Sequence, residues 1–210
     1  MDKFKKCLKW FLNSFIWLGL LLLIIDLVSK LLVVANHEYI LSTGGIVLIP
    51  NFLRINYIIN NKMVFGISLG SDTANKAIFC VAALLIVTGL IIFLIKKWGK
   101  LNKYYKACIM MILAGAIGNV IDRLFYSPAF LGNDVNGVVD WIDFYTIWGF
   151  NFNIADSAVV VAAFMLIIYM IVVDIIEYIK VNKSKPKEVE EKVISKTEQE
   201  KNQYLDNKDE

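Results

Sequence analysis

The sequence of 210 residues holds a single histidine, His37, and only three cysteines. One histidine excludes multi-histidine metal sites and leaves one candidate base for a serine nucleophile. His37 sits in an NHEY segment with no partner motif and reads as a surface residue. Three cysteines are too few, and odd in number, for a disulfide scaffold. Cys80 and Cys108 lie in apolar runs and Cys7 in a lysine cluster, so all three read as small hydrophobes. Net charge is also small, at +3, while 58% of the residues are apolar. A disordered chain needs low hydrophobicity and high net charge, so that class is excluded. A soluble domain runs at about 45–50% apolar, so an ordinary soluble enzyme is excluded too.

The apolar residues gather in four runs, near the ~20 residues that cross about 30 Å of hydrocarbon. They extend from about Trp10 to Val34, Ala77 to Ile95, Tyr105 to Ile121 and Ile154 to Ile179. The third is shorter and rich in small residues. Lys3, Lys5, Lys6 and Lys9 precede the first run, and Lys96, Lys97, Lys100, Lys103 and Lys106 separate the second from the third. Basic flanks mark cytoplasmic connections. Both termini are therefore expected in the cytoplasm, with the stretches 35–76 and 122–155 outside. The basic clusters are short and bracketed by apolar runs, so no nucleic-acid partner is expected. A cleaved signal peptide is the rival reading of the first run. That run is too long, lacks a small-x-small site and contains Asp26 and Lys30.

The expected fold is an all-α membrane protein with four transmembrane helices and a small extracytoplasmic β-sheet element. The strand signal is IVLIPNFLRINYIIN (Ile46–Asn60), with partial alternation of β-branched, aromatic and polar residues, punctuated by Gly44, Gly45 and Pro50. Residues 1–180 form the membrane domain. Residues 181–210 carry 7 Lys, 6 Glu and 2 Asp, and are expected to be a disordered cytoplasmic tail.

Ionisable residues in or beside a membrane span are costly and mark function by default. Asp26 and Lys30 are four apart on one helix face, acid first, the better order for a pair; a structural ion pair would explain them. Asn119, Asp122 and Arg123 in GNVIDR share one side of the third run, where Gly115 and Gly118 permit close packing. A helix cap and ion pair is the plainer explanation there. Asp140 and Asp143 lie in GVVDWIDFY, and Asp156 lies in FNIADS. Capping would explain one aspartate, but not the gathering of polar groups at one face.

Two neighbouring carboxylates cannot comfortably both ionise, so one keeps its proton. The charged one takes a proton from water and the neutral one gives a proton to a leaving amide nitrogen. Nearby asparagines and an arginine can orient a carbonyl and bind developing negative charge. Such hydrolysis needs neither histidine, metal nor cofactor.

Five segments in this order, DLVSK, NNKMVFG, GNVIDRL, GVVDW and FNIADS, resemble the lipoprotein signal peptidases, or signal peptidase II family, which are membrane aspartic peptidases. The resemblance covers Asp26–Ser157. It implies a catalytic pair at Asp140 and Asp156, with Asn60, Asn119, Arg123, Asn153 and Asp122 binding substrate or supporting the site. Asp26 and Lys30 would support the fold. It implies substrates that are prolipoproteins bearing a diacylglyceryl cysteine, cleaved on the amino side of that cysteine. It also implies a multi-pass protein of the bacterial cell membrane, expected as a monomer in contact with membrane lipid, with its site at the outer face. Lys62 stands where the family usually has glycine, and Trp141 where phenylalanine is common. Asp143 is the rival for Asp140, which is favoured because it directly follows Gly137-Val138-Val139. Two other classes compete. A transporter would spread its charges through the bilayer depth. A membrane scaffold would tolerate changes at Asp140 and Asp156.

Overall fold

Phe15 adopts a left-handed conformation (φ 59°) and splits the first apolar run in two. The Ser14 hydroxyl donates to Phe11 O and accepts the Ile16 N–H, closing one helix and opening the next. Helix α1 (Asp2–Ser14) is therefore separate from α2 (Ile16–Ala35). The first span begins at Ile16, six residues later than the apolar run suggests. The computed structural model describes residues 2–60, 72–125, 137–147 and 149–206, with side chains at 2–60, 77–78, 80–124, 137–147 and 149–182.

After α2 come α3 (His37–Ser42), β1 (Ile46–Ile49), β2 (Leu53–Asn60), α4 (Asp72–Lys97), α5 (Lys103–Phe125), β3 (Val138–Asp143), β4 (Asn151–Phe152) and α6 (Ile154–Asp206). Four stretches are long and apolar enough to cross a bilayer: Ile16–Ala35, Cys80–Lys97, Lys103–Leu124 and Ile154–Asn182. The protein is thus a multi-pass membrane protein of four spans. The helical backbone of α6 continues through the charged stretch from 181 and ends at Asp206. By internal packing the chain divides into Met1–Met165 and Leu166–Glu210. The sheet and all candidate site residues lie in the first unit.

The strands form one antiparallel sheet in the order β1-β2-β3-β4. Gly44 and Gly45 take positive φ at the entry to β1. A Cβ on Gly45 would sit 3.0 Å from Arg54 Cδ and 3.1 Å from Ile55 O, so this turn needs glycine. The β1–β2 hairpin closes through Phe52 N–H to Ile49 O, with Asn51 left-handed. The sequence signal at Ile46–Asn60 is this hairpin. Strand β3 comes from the other long connection and pairs Asp140 with Ile58 and Asp143 with Arg54. The two connections therefore make one sheet. Val33, Val34, Ile40, Tyr57 and Val139 form a core that fastens it to the end of α2.

Helix α5 is the internal post. Leu94 of α4 packs on its Ile109 and Leu113. On another side Gly115 meets α6 closely: a Cβ there would lie 2.4 Å from Ala155 O and 2.6 Å from Val159 Cγ2. The small residues of the third run thus admit the first turns of α6, as in other membrane helix pairs.

Candidate active site

Lys30 is fully buried and has three acceptors for its three protons. Its Nζ lies 2.7 Å from Asp26 Oδ2, 2.9 Å from Asp122 Oδ2 and 3.1 Å from Asn119 Oδ1. A buried ammonium needs this full pairing. Each partner passes the constraint on. Asp26 Oδ1 accepts the Ala155 N–H at 2.8 Å, in the first turn of α6. Asp122 Oδ2 accepts the Val139 N–H at 3.2 Å, one residue before Asp140. Gly118 leaves room for Asp26, since a Cβ would stand 2.6 Å from Asp26 Oδ2. The Asp26–Lys30 pair is therefore real, but it also carries Asp122 and Asn119 and caps a different helix.

Asn153 caps α6 reciprocally. Its Oδ1 accepts the Asp156 N–H at 2.8 Å, and Asp156 Oδ2 accepts the Asn153 N–H at 3.4 Å. This is a capping box with aspartate in the usual glutamate position. The same Asn153 donates from Nδ2 to Asp140 Oδ1 at 2.8 Å and to Asn119 Oδ1 at 3.1 Å. Asn119 Oδ1 thus accepts from both Lys30 and Asn153. That leaves its Nδ2 to donate to Asp156 Oδ1 at 2.8 Å. Asn60, at the end of β2, donates to Asp140 Oδ2 at 2.9 Å. Arg123 is buried one turn beyond Asn119, donates to its backbone carbonyl at 3.4 Å, and its charge acts on both Asp140 and Asp156.

Asp140 and Asp156 thus share one asparagine and one arginine, although they come from a strand and a helix. Burial, followed by the negative charge of Asp156, pushes the Asp140 carboxyl up to about 7. The amides of Asn60 and Asn153 favour its ionised form and pull the other way. One of two neighbouring carboxyls holding a proton at neutral pH is what acid–base hydrolysis asks of such a pair.

Asp143 goes elsewhere. Side chains alternate along a strand, so residues 140 and 143 point to opposite faces of β3. Asp143 Oδ2 is bound by Arg54 Nε at 2.7 Å and Asn56 Nδ2 at 3.1 Å. The sequence reading singles out neither Arg54 nor Asn56, since nothing local marks a partner 89 residues away. His37 lies outside the cluster, half-buried, with Nδ1 2.8 Å from Val34 O and its ring against Tyr57. Among the described residues, no group of three His, Cys, Asp or Glu side chains is placed to hold a metal ion. Asn61, Lys62, Phe65 and Gly66 of the NNKMVFG segment lie outside the described residues.

A family model described as signal peptidase (SPase) II matches residues 18–172. The chain belongs to the signal peptidase II family. As a member of it, the protein is a membrane hydrolase of the aspartic peptidase type. A lipoprotein signal peptidase of Coxiella burnetii (strain Dugway 5J108-111) is 34% identical over 171 residues, 80% of this chain and 93% of that protein. One from Fusobacterium nucleatum subsp. nucleatum is 33% identical over 155 residues, 73% of this chain and 84% of its own. A solved bacterial membrane enzyme, determined by the in meso method at 2.3 Å resolution, superposes with a TM-score of 0.57 and 28% identity. It covers 77% of this chain and 89% of its own.

Proposed function

We propose that this signal peptidase II removes signal peptides from diacylglyceryl-modified prolipoproteins, cutting on the amino side of the lipidated cysteine with Asp140 and Asp156. The carrying observation is that Asn153 bonds to Asp140 through its side chain and to Asp156 through both its side chain and its backbone. Asp156 takes a proton from water as the water oxygen attacks the scissile carbonyl. Asp140, held near 7 by burial, gives its proton to the amide nitrogen as the C–N bond breaks. The proton on Asp156 then returns to Asp140 and resets the pair, so no acyl-enzyme forms. Asn119 and Asn60 hold the two carboxyls, and Arg123 places positive charge beside the developing oxyanion.

With the basic segments in the cytoplasm, the pair sits at the outer face of the membrane. A lipid-anchored substrate reaches it by lateral diffusion. The test uses purified Asp140→Asn and Asp156→Asn proteins and a lipidated precursor peptide. Both are expected to bind substrate and to cleave it at least ~10³-fold more slowly, consistent with loss of an essential acid or base. Normal processing by either folded variant overturns the assignment.

A further inference from the structure

Helix α1 takes no part in the site, yet it is strongly patterned. Phe4, Leu8 and Leu12 recur every four residues, and Cys7 and Phe11 flank them on the same arc. Lys5, Lys6 and Lys9 occupy the remaining circumference and are exposed. Among the described residues the apolar arc is left largely open: Phe4 is 72%, Leu8 45% and Leu12 52% exposed. Thirteen residues reach about 20 Å as a helix, too short to cross a bilayer. The left-handed Phe15 separates α1 from the span that starts at Ile16.

A second set of cations stands against it. Trp10 lies 6.2 Å from Trp98 in the α4–α5 connection, and Lys106 Nζ is 4.5 Å over the Trp98 ring. Residues 1–14 and 96–106 together hold nine lysines and one acid, Asp2. We infer that α1 and the α4–α5 connection form a docking surface for anionic phospholipid, with α1 lying in the membrane plane.

Two features select this occupant. The apolar arc is continuous in sequence with a membrane span, so hydrocarbon is already beside it. The lysines are complementary to anionic headgroups, and tryptophans sit at headgroup depth. The inference does not depend on which reaction the carboxylates catalyse.

Cys7 supplies the probe, being exposed while Cys80 and Cys108 are buried. The full chain, carrying a nitroxide on Cys7, is reconstituted in vesicles of phosphatidylcholine alone or with phosphatidylglycerol. In the anionic vesicles the label is expected to be reached by oxygen and shielded from an aqueous nickel chelate. A lysine near an anionic surface contributes about fivefold to partition. Substituting Lys3, Lys5, Lys6 and Lys9 together by Gln should therefore cut the immersed population by more than about tenfold, and by Arg should preserve it. Three results overturn the proposal: equal immersion in both lipids, immersion indifferent to the lysines, or a water-exposed label that only an added acidic protein shields. Peptidase activity is not the readout, so failure here leaves the proposed reaction intact.

Discussion

Asn153 Nδ2 lies 2.8 Å from Asp140 Oδ1, so the residue that caps α6 also holds a carboxylate of β3. Helix start and strand are locked in register by one side chain. Asn153→Ala should lose the cap, at about 1 kcal/mol, and leave Asp140 misplaced. A misplacement near 1 Å costs on the order of 10²-fold in rate. Asn153→Asp keeps the cap but brings a third carboxyl to the pair. Thermal unfolding and cleavage rate should therefore separate: the alanine variant loses both, the aspartate variant mainly the rate.

Lys30→Met removes the cation that bridges Asp26 and Asp122. Leaving buried carboxylates without their partner costs about 3–5 kcal/mol. Adding Asp122→Asn to Lys30→Met should recover part of that loss. Unfolding in detergent checks the order of the three proteins. Equal stability of Lys30→Met and wild type would remove Lys30 from its central place.

Asp143→Asn should retain most activity, because Asp143 is tied to Arg54 on the opposite face of β3. Arg54 is 29% exposed while Asp143 is buried, so the substitution costs stability but leaves the Asp140 side of the strand in place. Loss of activity comparable to that of Asp140→Asn would make Asp143 the catalytic residue instead.

The Asp140 carboxyl, raised by burial to about 7, predicts a fall in kcat/KM above that pH as the proton donor is lost. Asn60 favours the ionised form. Asn60→Ala should therefore raise this pKa and move the alkaline limb to higher pH. The sign for stability follows from the same shift. A carboxyl with a raised folded pKa binds more protons folded than unfolded, so its contribution falls as pH rises from about 4 to 7. A pH–rate profile on a substrate limited by chemistry tests the limb.

Gly115→Ala places a methyl 2.4 Å from the Ala155 carbonyl, backbone that cannot swing aside. Overpacking of this kind costs about 1–3 kcal/mol, and the displaced α6 start carries Asp156 with it. Gly89→Ala, with nothing within 4 Å, is the control. Both variants are compared by melting temperature and by cleavage rate.

Sequence alone determined the four spans, the strand-forming character of Ile46–Asn60 and the set of polar residues in GNVIDR, GVVDW and FNIADS. These are legible because the cost of placing charge in hydrocarbon and the period-2 strand pattern are written locally. It missed the break at Phe15, since a left-handed residue inside an apolar run changes no hydropathy. It missed β3 as a strand, because β3 pairs with a segment some eighty residues earlier. It favoured Asp140 over Asp143 only because Asp140 directly follows Gly137-Val138-Val139. Tertiary structure gives the two different partners: alternation along β3 aims Asp143 at Arg54 and Asp140 at Asn60 and Asn153. Which carboxylates meet is a matter of long-range register, and register is set by the joint packing of α2, α5, the start of α6 and the sheet around Lys30.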